Sequence, residues 1–222
     1  MGIAAYAGAL GASFGAVSVA SGLTVAQTIV LSLVMITGAS QFAFIGVVGS
    51  GGAPLTAIPA TLLLGVRNAF YGVPISEVLG PTHLRGWRRW VNAHLVIDET
   101  TAMAIRRDNP DAQRYAFHVT GITLFVLWNV GTSIGAIAGS SIDAAAFGLD
   151  AAVPAAFLAL LWPRLSDPAS RWVAVAGALV ATAFIPLLPA GVPVLAAAPI
   201  AIVAGLFPRG RGTSSGPFAP EQ

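Results

Sequence analysis

Residues 1–66, MGIAAYAGALGASFGAVSVASGLTVAQTIVLSLVMITGASQFAFIGVVGSGGAPLTAIPATLLLGV, contain no Asp, Glu, Lys, Arg or His. A water-soluble surface cannot be built from such a stretch, whereas a bilayer tolerates it, because about 20 apolar residues per helix cross the hydrocarbon with every backbone group bonded internally. Residues 172–208 are a second run free of all five types. Across the whole chain of 222 residues only 9% are charged, against about a quarter in an average soluble domain. A cleaved leader would show a basic start, a short apolar core and a polar mature domain. None of these is present, so the opening stretch is expected to stay in the membrane.

Working outward, Gly, Pro and charge punctuate the apolar runs and predict an all-α polytopic transmembrane helix bundle with seven spans, at 1–21, 25–49, 54–79, 115–140, 150–163, 171–188 and 191–207. The short link at residues 49–54 and the Pro186 to Pro193 corner each leave just enough chain to reverse direction. The last two spans should therefore form an antiparallel pair. Segment 93–105 carries an apolar rhythm with Asp98 and Glu99 at its centre. As a helix it would be roughly 20 Å long, short of the roughly 30 Å hydrocarbon core.

Charge arbitrates its placement. The 11 basic residues are all Arg, clustered between apolar runs. If 93–105 does not cross, Arg85, Arg88, Arg89, Arg106, Arg107, Arg114, Arg164, Arg171, Arg209 and Arg211 share one side while Asp143 and Asp150 take the other. The positive-inside rule prefers that arrangement. It places the C-terminus in the cytoplasm, the N-terminus outside, and 93–105 as a short buried or re-entrant helix. One membrane domain over 1–208 and a flexible cytoplasmic tail over 209–222 are expected. The same clustering explains the basic isoelectric point without nucleic acid.

Chemistry concentrates in a few residues. Arg67 is the one arginine inside a long apolar span, and a guanidinium at a helix centre costs about 3 kcal/mol on translocon scales. Arg67 and Tyr71 lie four apart on one face, with Asn68 beside them, and that face is expected to point inward toward Asp98 or Glu99. One of those carboxylates would be the proton-sensitive member of the set. Thr37-Gly38-Ala39-Ser40-Gln41-Phe42 interrupts the second span, where a broken helix would free backbone groups for a solute's carboxylate and ammonium. Close packing by small residues explains the same motif. Gly131, Gly135 and Gly139 form a smooth stripe read as helix packing, and Asn129 is a candidate for the cavity. Phe42, Phe44, Phe70 and Trp128 are the candidate apolar wall.

Several classes drop out. Cysteine is absent, which removes disulfides and thiolate chemistry. His83, His94 and His118 show no metal-ligand spacing, so no metal or cofactor is expected. No nucleophile elbow surrounds Ser40 or His118, and no Gly-x-x-x-x-Gly-Lys-Ser/Thr loop occurs. An enzyme is not expected.

Five blocks occur in order: Gly38-Ala39-Ser40-Gln41-Phe42, Arg67-Asn68-x-x-Tyr71-Gly72, Asp98-Glu99-Thr100, Trp128-Asn129-x-Gly131, and Leu149-Asp150-Ala151-Ala152-Val153-Pro154-Ala155-Ala156-Phe157. Together they resemble the AzlC/YgaZ family of branched-chain amino acid transport proteins, from about Ala9 to Leu206. The resemblance implies a secondary transporter that exports leucine, isoleucine, valine or analogues across the inner membrane with a small AzlD/YgaH-type membrane subunit. On the reading of the residues themselves, Gly38, Ser40, Gln41, Arg67, Asn68, Tyr71 and Asn129 are expected to approach the substrate, with the stranded Asp98 and Glu99 serving proton coupling. Two departures stand out: relatives often carry a longer basic N-terminal lead, and many have His where this chain has Asn68. A non-transporting scaffold that docks through the glycine stripe, a channel, and a permease for another amphipathic solute are the rival readings.

Overall fold

A computed structural model describes residues 2–141, 155, 158, 161–188 and 192–206. Every regular element among them is helical: α1 (Gly2–Ala20), α2 (Val25–Val34), α3 (Ala39–Gly49), α4 (Pro54–Leu79), α5 (Gly86–His94), α6 (Asp98–Ile105), α7 (Pro110–Ser140), a 3-10 turn (Trp162–Ser166), α8 (Pro168–Phe184) and α9 (Val192–Leu206). Most of the expected span 150–163 lies outside the described residues. So do the Leu149–Phe157 block, Asp143, Asp150, Arg209, Arg211 and the 209–222 tail.

Local chemistry sets the helix starts. Thr24 and Gln27 cap α2 reciprocally, Thr24 N–H donating to Gln27 Oε1 at 2.8 Å and Gln27 N–H to Thr24 Oγ1 at 3.2 Å. Asn109 and Asp167 do the same service for α7 and α8, accepting from the N–H groups of Ala112 and Ser170. Each is followed by a proline at the first helical position, where a missing N–H costs nothing.

Two segments are broken, one close to where the sequence suggested an interruption and one where it did not. The 25–49 span is two helices joined by the non-helical Met35–Gly38, so the interruption falls just ahead of the Ala39–Phe42 turn. Gly38 sits at φ +59, a region that other residues rarely occupy. The 93–105 segment is likewise not one helix, which corrects the sequence expectation. Helix α5 ends at His94, residues 95–97 are buried and non-helical, and α6 starts at Asp98. Thr100 explains the break, since its hydroxyl accepts from Ile97 N–H at 3.0 Å and lies 2.8 Å from the Leu95 carbonyl as donor. Asp98 and Glu99 therefore occupy the first turn of a helix rather than its centre, where the helix dipole favours negative charge.

Helix α1 packs most extensively on α7, α3 on α4, α8 on α9, and α6 and α2 on α7. The α1–α7 contact depends on missing side chains. A Cβ on Gly135 would lie 1.9 Å from the Ala12 carbonyl oxygen, one on Gly131 2.1 Å from that of Gly8, and one on Gly15 2.1 Å from that of Thr132. Gly139 meets Ala16 in the same way. The two backbones can approach this closely only with glycine at the crossing.

The interior holds two apolar clusters and much small polar surface. Phe14, Phe42, Ile45 and Trp128 form one cluster, with Phe14 edge-on to Phe42 and stacked on Trp128. Ile75, Leu79, Leu95, Ile97, Phe117 and Leu124 belong to the other. Ser18, Thr28, Ser32 and Thr132 are fully buried, and Ser32 bonds Thr132 across helices at 3.3 Å. Outside, the pattern inverts. Leu55, Phe70, Trp172 and Leu206 are each more than two-thirds exposed, and α8 buries none of its residues. Apolar exterior around a small-residue, polar-dotted interior is the arrangement a bilayer favours. By length and composition, α7 is the one described helix long and apolar enough to cross a membrane, while α2, α3, α8 and α9 are apolar but shorter.

Candidate functional site

Arg67 stands at the midpoint of α4, with no other charge between Pro54 and Ser76. Its Nη1 lies 3.3 Å from Asp98 Oδ2 and its Nη2 donates to Asp98 Oδ1 at 3.4 Å, a two-point fork that fixes the guanidinium plane. Both side chains remain about one-third exposed, at 35% and 38%. What exposes them is a cavity. Glu99, in the same turn as Asp98, lines that cavity and makes no ion pair among the described residues.

The cavity has a volume of about 440 Å³, within the range of small-molecule sites. Six segments enclose it. Helix α1 supplies Tyr6, Ala7 and Leu10; the α2–α3 break supplies Ile36, Thr37 and Gly38; α3 supplies Ala39 and Phe42; α7 supplies Leu124 and Trp128. Arg67 from α4 and Ile97, Asp98 and Glu99 from the start of α6 complete the ring. One wall is thus aromatic and aliphatic while another carries both signs of charge.

Polar atoms without partners mark the lining. Thr37 Oγ1 and Trp128 Nε1 are buried with no hydrogen bond. The first N–H groups of α3 face the break without intrahelical acceptors, as at any helix N-terminus. Gly38 N–H is one exception nearby, since it donates to Gln41 Oε1 at 3.3 Å.

The other sequence candidates lie elsewhere. Ser40 and Gln41 are buried beneath the lining, Ser40 Oγ near the position a Cβ on Gly65 would occupy. Asn68 lines a separate groove between α4 and α5. Tyr71 packs on the cluster around Ile75 and Phe117. Asn129 turns back on its own helix, its amide donating to the Phe125 carbonyl at 2.8 Å. Of the proposed apolar wall, Phe42 and Trp128 line the cavity, Phe44 packs beside the Phe14 cluster, and Phe70 is exposed on the outside of the bundle. Sequence reasoning missed Tyr6, Leu10, Ile36 and Leu124, which are ordinary apolar-segment residues with no local signal. Gly131, Gly135 and Gly139 are taken up by α1. Among the described residues no cluster of metal-ligating side chains occurs.

A family model described as "AzlC protein" matches residues 2–142, which include every lining residue of the cavity. An "Uncharacterized membrane protein" of Haemophilus influenzae (strain ATCC 51907 / DSM 11121 / KW20 / Rd) is 25% identical over 154 residues, covering 68% of this chain. The chain spans 62% of that relative's length. No solved structure matches.

Proposed function

Because the chain belongs to the AzlC protein family, we propose that it is a polytopic inner-membrane secondary transporter that exports branched-chain amino acids. The observation that carries this reading is the two-faced cavity: an Arg67–Asp98 pair with Glu99 on one side, Leu10, Ile36, Phe42, Leu124 and Trp128 on the other. A free amino acid with an aliphatic side chain has the same division. Its carboxylate suits the Arg67 guanidinium and the N–H groups at the start of α3, its ammonium suits Glu99 and Asp98, and its isobutyl or isopropyl group suits the apolar wall. A broken helix at the binding site is a recurring transporter device, because freed backbone groups can coordinate solute at membrane depth only where they line a cavity.

A substrate carboxylate that engages Arg67 would loosen its fork to Asp98, leaving two carboxylates to share the cavity. The substrate ammonium compensates them while it is bound, and a proton that neutralises Glu99 or Asp98 competes with that ammonium and removes its attraction. That links solute release to proton uptake and motivates proton antiport. The partner in this reading is a small AzlD/YgaH-type membrane subunit, and the C-terminus is cytoplasmic. The scaffold alternative relied on the α7 glycines as a docking surface, and α1 already occupies them.

Efflux of radiolabelled leucine from cells expressing the chain with its genomic neighbour tests the proposal. The native chain should accelerate efflux severalfold over vector, while an Arg67→Ala variant present in the membrane at equal level should not. Native-level efflux by that variant would remove Arg67 from the site.

A further inference from the structure

Helix α5 fits none of the roles above. It packs extensively on no other described helix, and the stretch 80–97 that contains it has no acidic residue. Trp87, Trp90 and Val91 fall on one face of α5 at helical spacing, 70%, 68% and 46% exposed. The opposite side is anchored by Asn92, which is buried and donates to the His83 carbonyl at 2.9 Å, with its Oδ1 3.1 Å from His118 Nε2 on α7. Arg85, Arg88 and Arg89 are all exposed, and the Arg89 guanidinium lies over the Trp90 ring at 4.7 Å. An exposed aromatic patch rimmed by arginines marks an interaction surface.

We propose that α5 is an interfacial helix that binds anionic phospholipid, with Trp87, Trp90 and Val91 set into the headgroup boundary and Arg85, Arg88 and Arg89 on the lipid phosphates. Position supports the occupant. Helix α4 ends at Leu79 and only six residues separate it from α5, so on the membrane reading given above, on which this inference rests, α5 lies at the bilayer surface. Tryptophan prefers that depth and arginine matches phosphate with a two-point fork. A groove of about 260 Å³ runs between α4 and α5, apolar along Ile75, Leu79, Leu84 and Val96, with Arg89 as its one charged lining residue. It seats an acyl chain beneath a phosphate held by Arg89.

The test uses the full chain, delipidated in neutral detergent, with native mass spectrometry after adding phosphatidylglycerol or phosphatidylcholine. Phosphatidylglycerol should be retained in preference. Each arginine near an anionic surface contributes about a fivefold effect, so an Arg85→Gln/Arg88→Gln/Arg89→Gln variant should lose the preference on the order of a hundredfold. An Arg106→Gln/Arg107→Gln control should keep it. Equal retention of the two lipids by the native chain, which needs no variant, overturns the proposal. So does a triple variant that binds as the native chain does, or one whose change is loss of a dimer or of the small subunit. Extraction with alkaline carbonate separates the two levels: release of the chain from membranes would sink the membrane reading, whereas a chain retained but indifferent to phosphatidylglycerol sinks only the role of α5.

Discussion

An arginine at the midpoint of an apolar helix must be neutralised, and Asp98 does so from a different helix. The pair is partly open to the cavity, so its net contribution to stability is small, as for pairs that water can reach. Removing one member is another matter, because the survivor is left charged among apolar side chains. Arg67→Ala and Asp98→Ala are each expected to lower the melting temperature in detergent, and the double variant is expected to recover part of the loss while still failing to transport. Strictly additive losses in a double-mutant cycle would show that the two charges are not coupled. The pairing could be foreseen from the stranded charges, since few partners exist in so apolar a chain. The choice of Asp98 over Glu99 could not, because it depends on which residue of the first turn of α6 faces α4.

Among elements, the α1–α7 crossing is the closest contact and the most sensitive to added atoms. Gly15→Ala or Gly135→Ala drives a methyl group into a facing carbonyl, which should destabilise by about 1–3 kcal/mol through overpacking. Gly177→Ala on α8 has open space around the new methyl and should be neutral, or stabilise by up to about 1 kcal/mol through helix propensity. Thermal unfolding of the three variants in one detergent checks the contrast, and equal effects would show that the α1–α7 approach is looser than described. The helix breaks teach a different lesson. Small polar residues at Thr37–Gln41 announced the first, although the actual gap lies at Met35–Gly38. The second went unread because Leu95-Val96-Ile97 continues an apolar rhythm. Thr100 ends that rhythm through a side-chain cap that no periodicity reveals.

For the whole molecule, odd span number and arginine clustering predict an outside N-terminus and a cytoplasmic α4–α7 connection. The native chain has no cysteine, so single cysteines report cleanly. Ser50→Cys should react with an impermeant maleimide from outside and Asp108→Cys only from the cytoplasm. Labelling of both from one face would overturn the topology. Proton antiport predicts that collapsing the pH gradient stops export from vesicles, and undiminished export would exclude it. Composition alone assigned the chain to helices in lipid, because the absence of charge over long runs is a property of the solvent that residues must satisfy wherever they sit. It also singled out Arg67, Asp98 and Glu99, since isolated charges in such a chain are costly enough to require one another. Folding settled the remainder: Tyr6, Leu10 and Leu124 line the cavity and Asn68, Tyr71 and Asn129 do not. Facing depends on helix rotation and on where α1 meets α7, which are set by glycine contacts between residues more than a hundred positions apart.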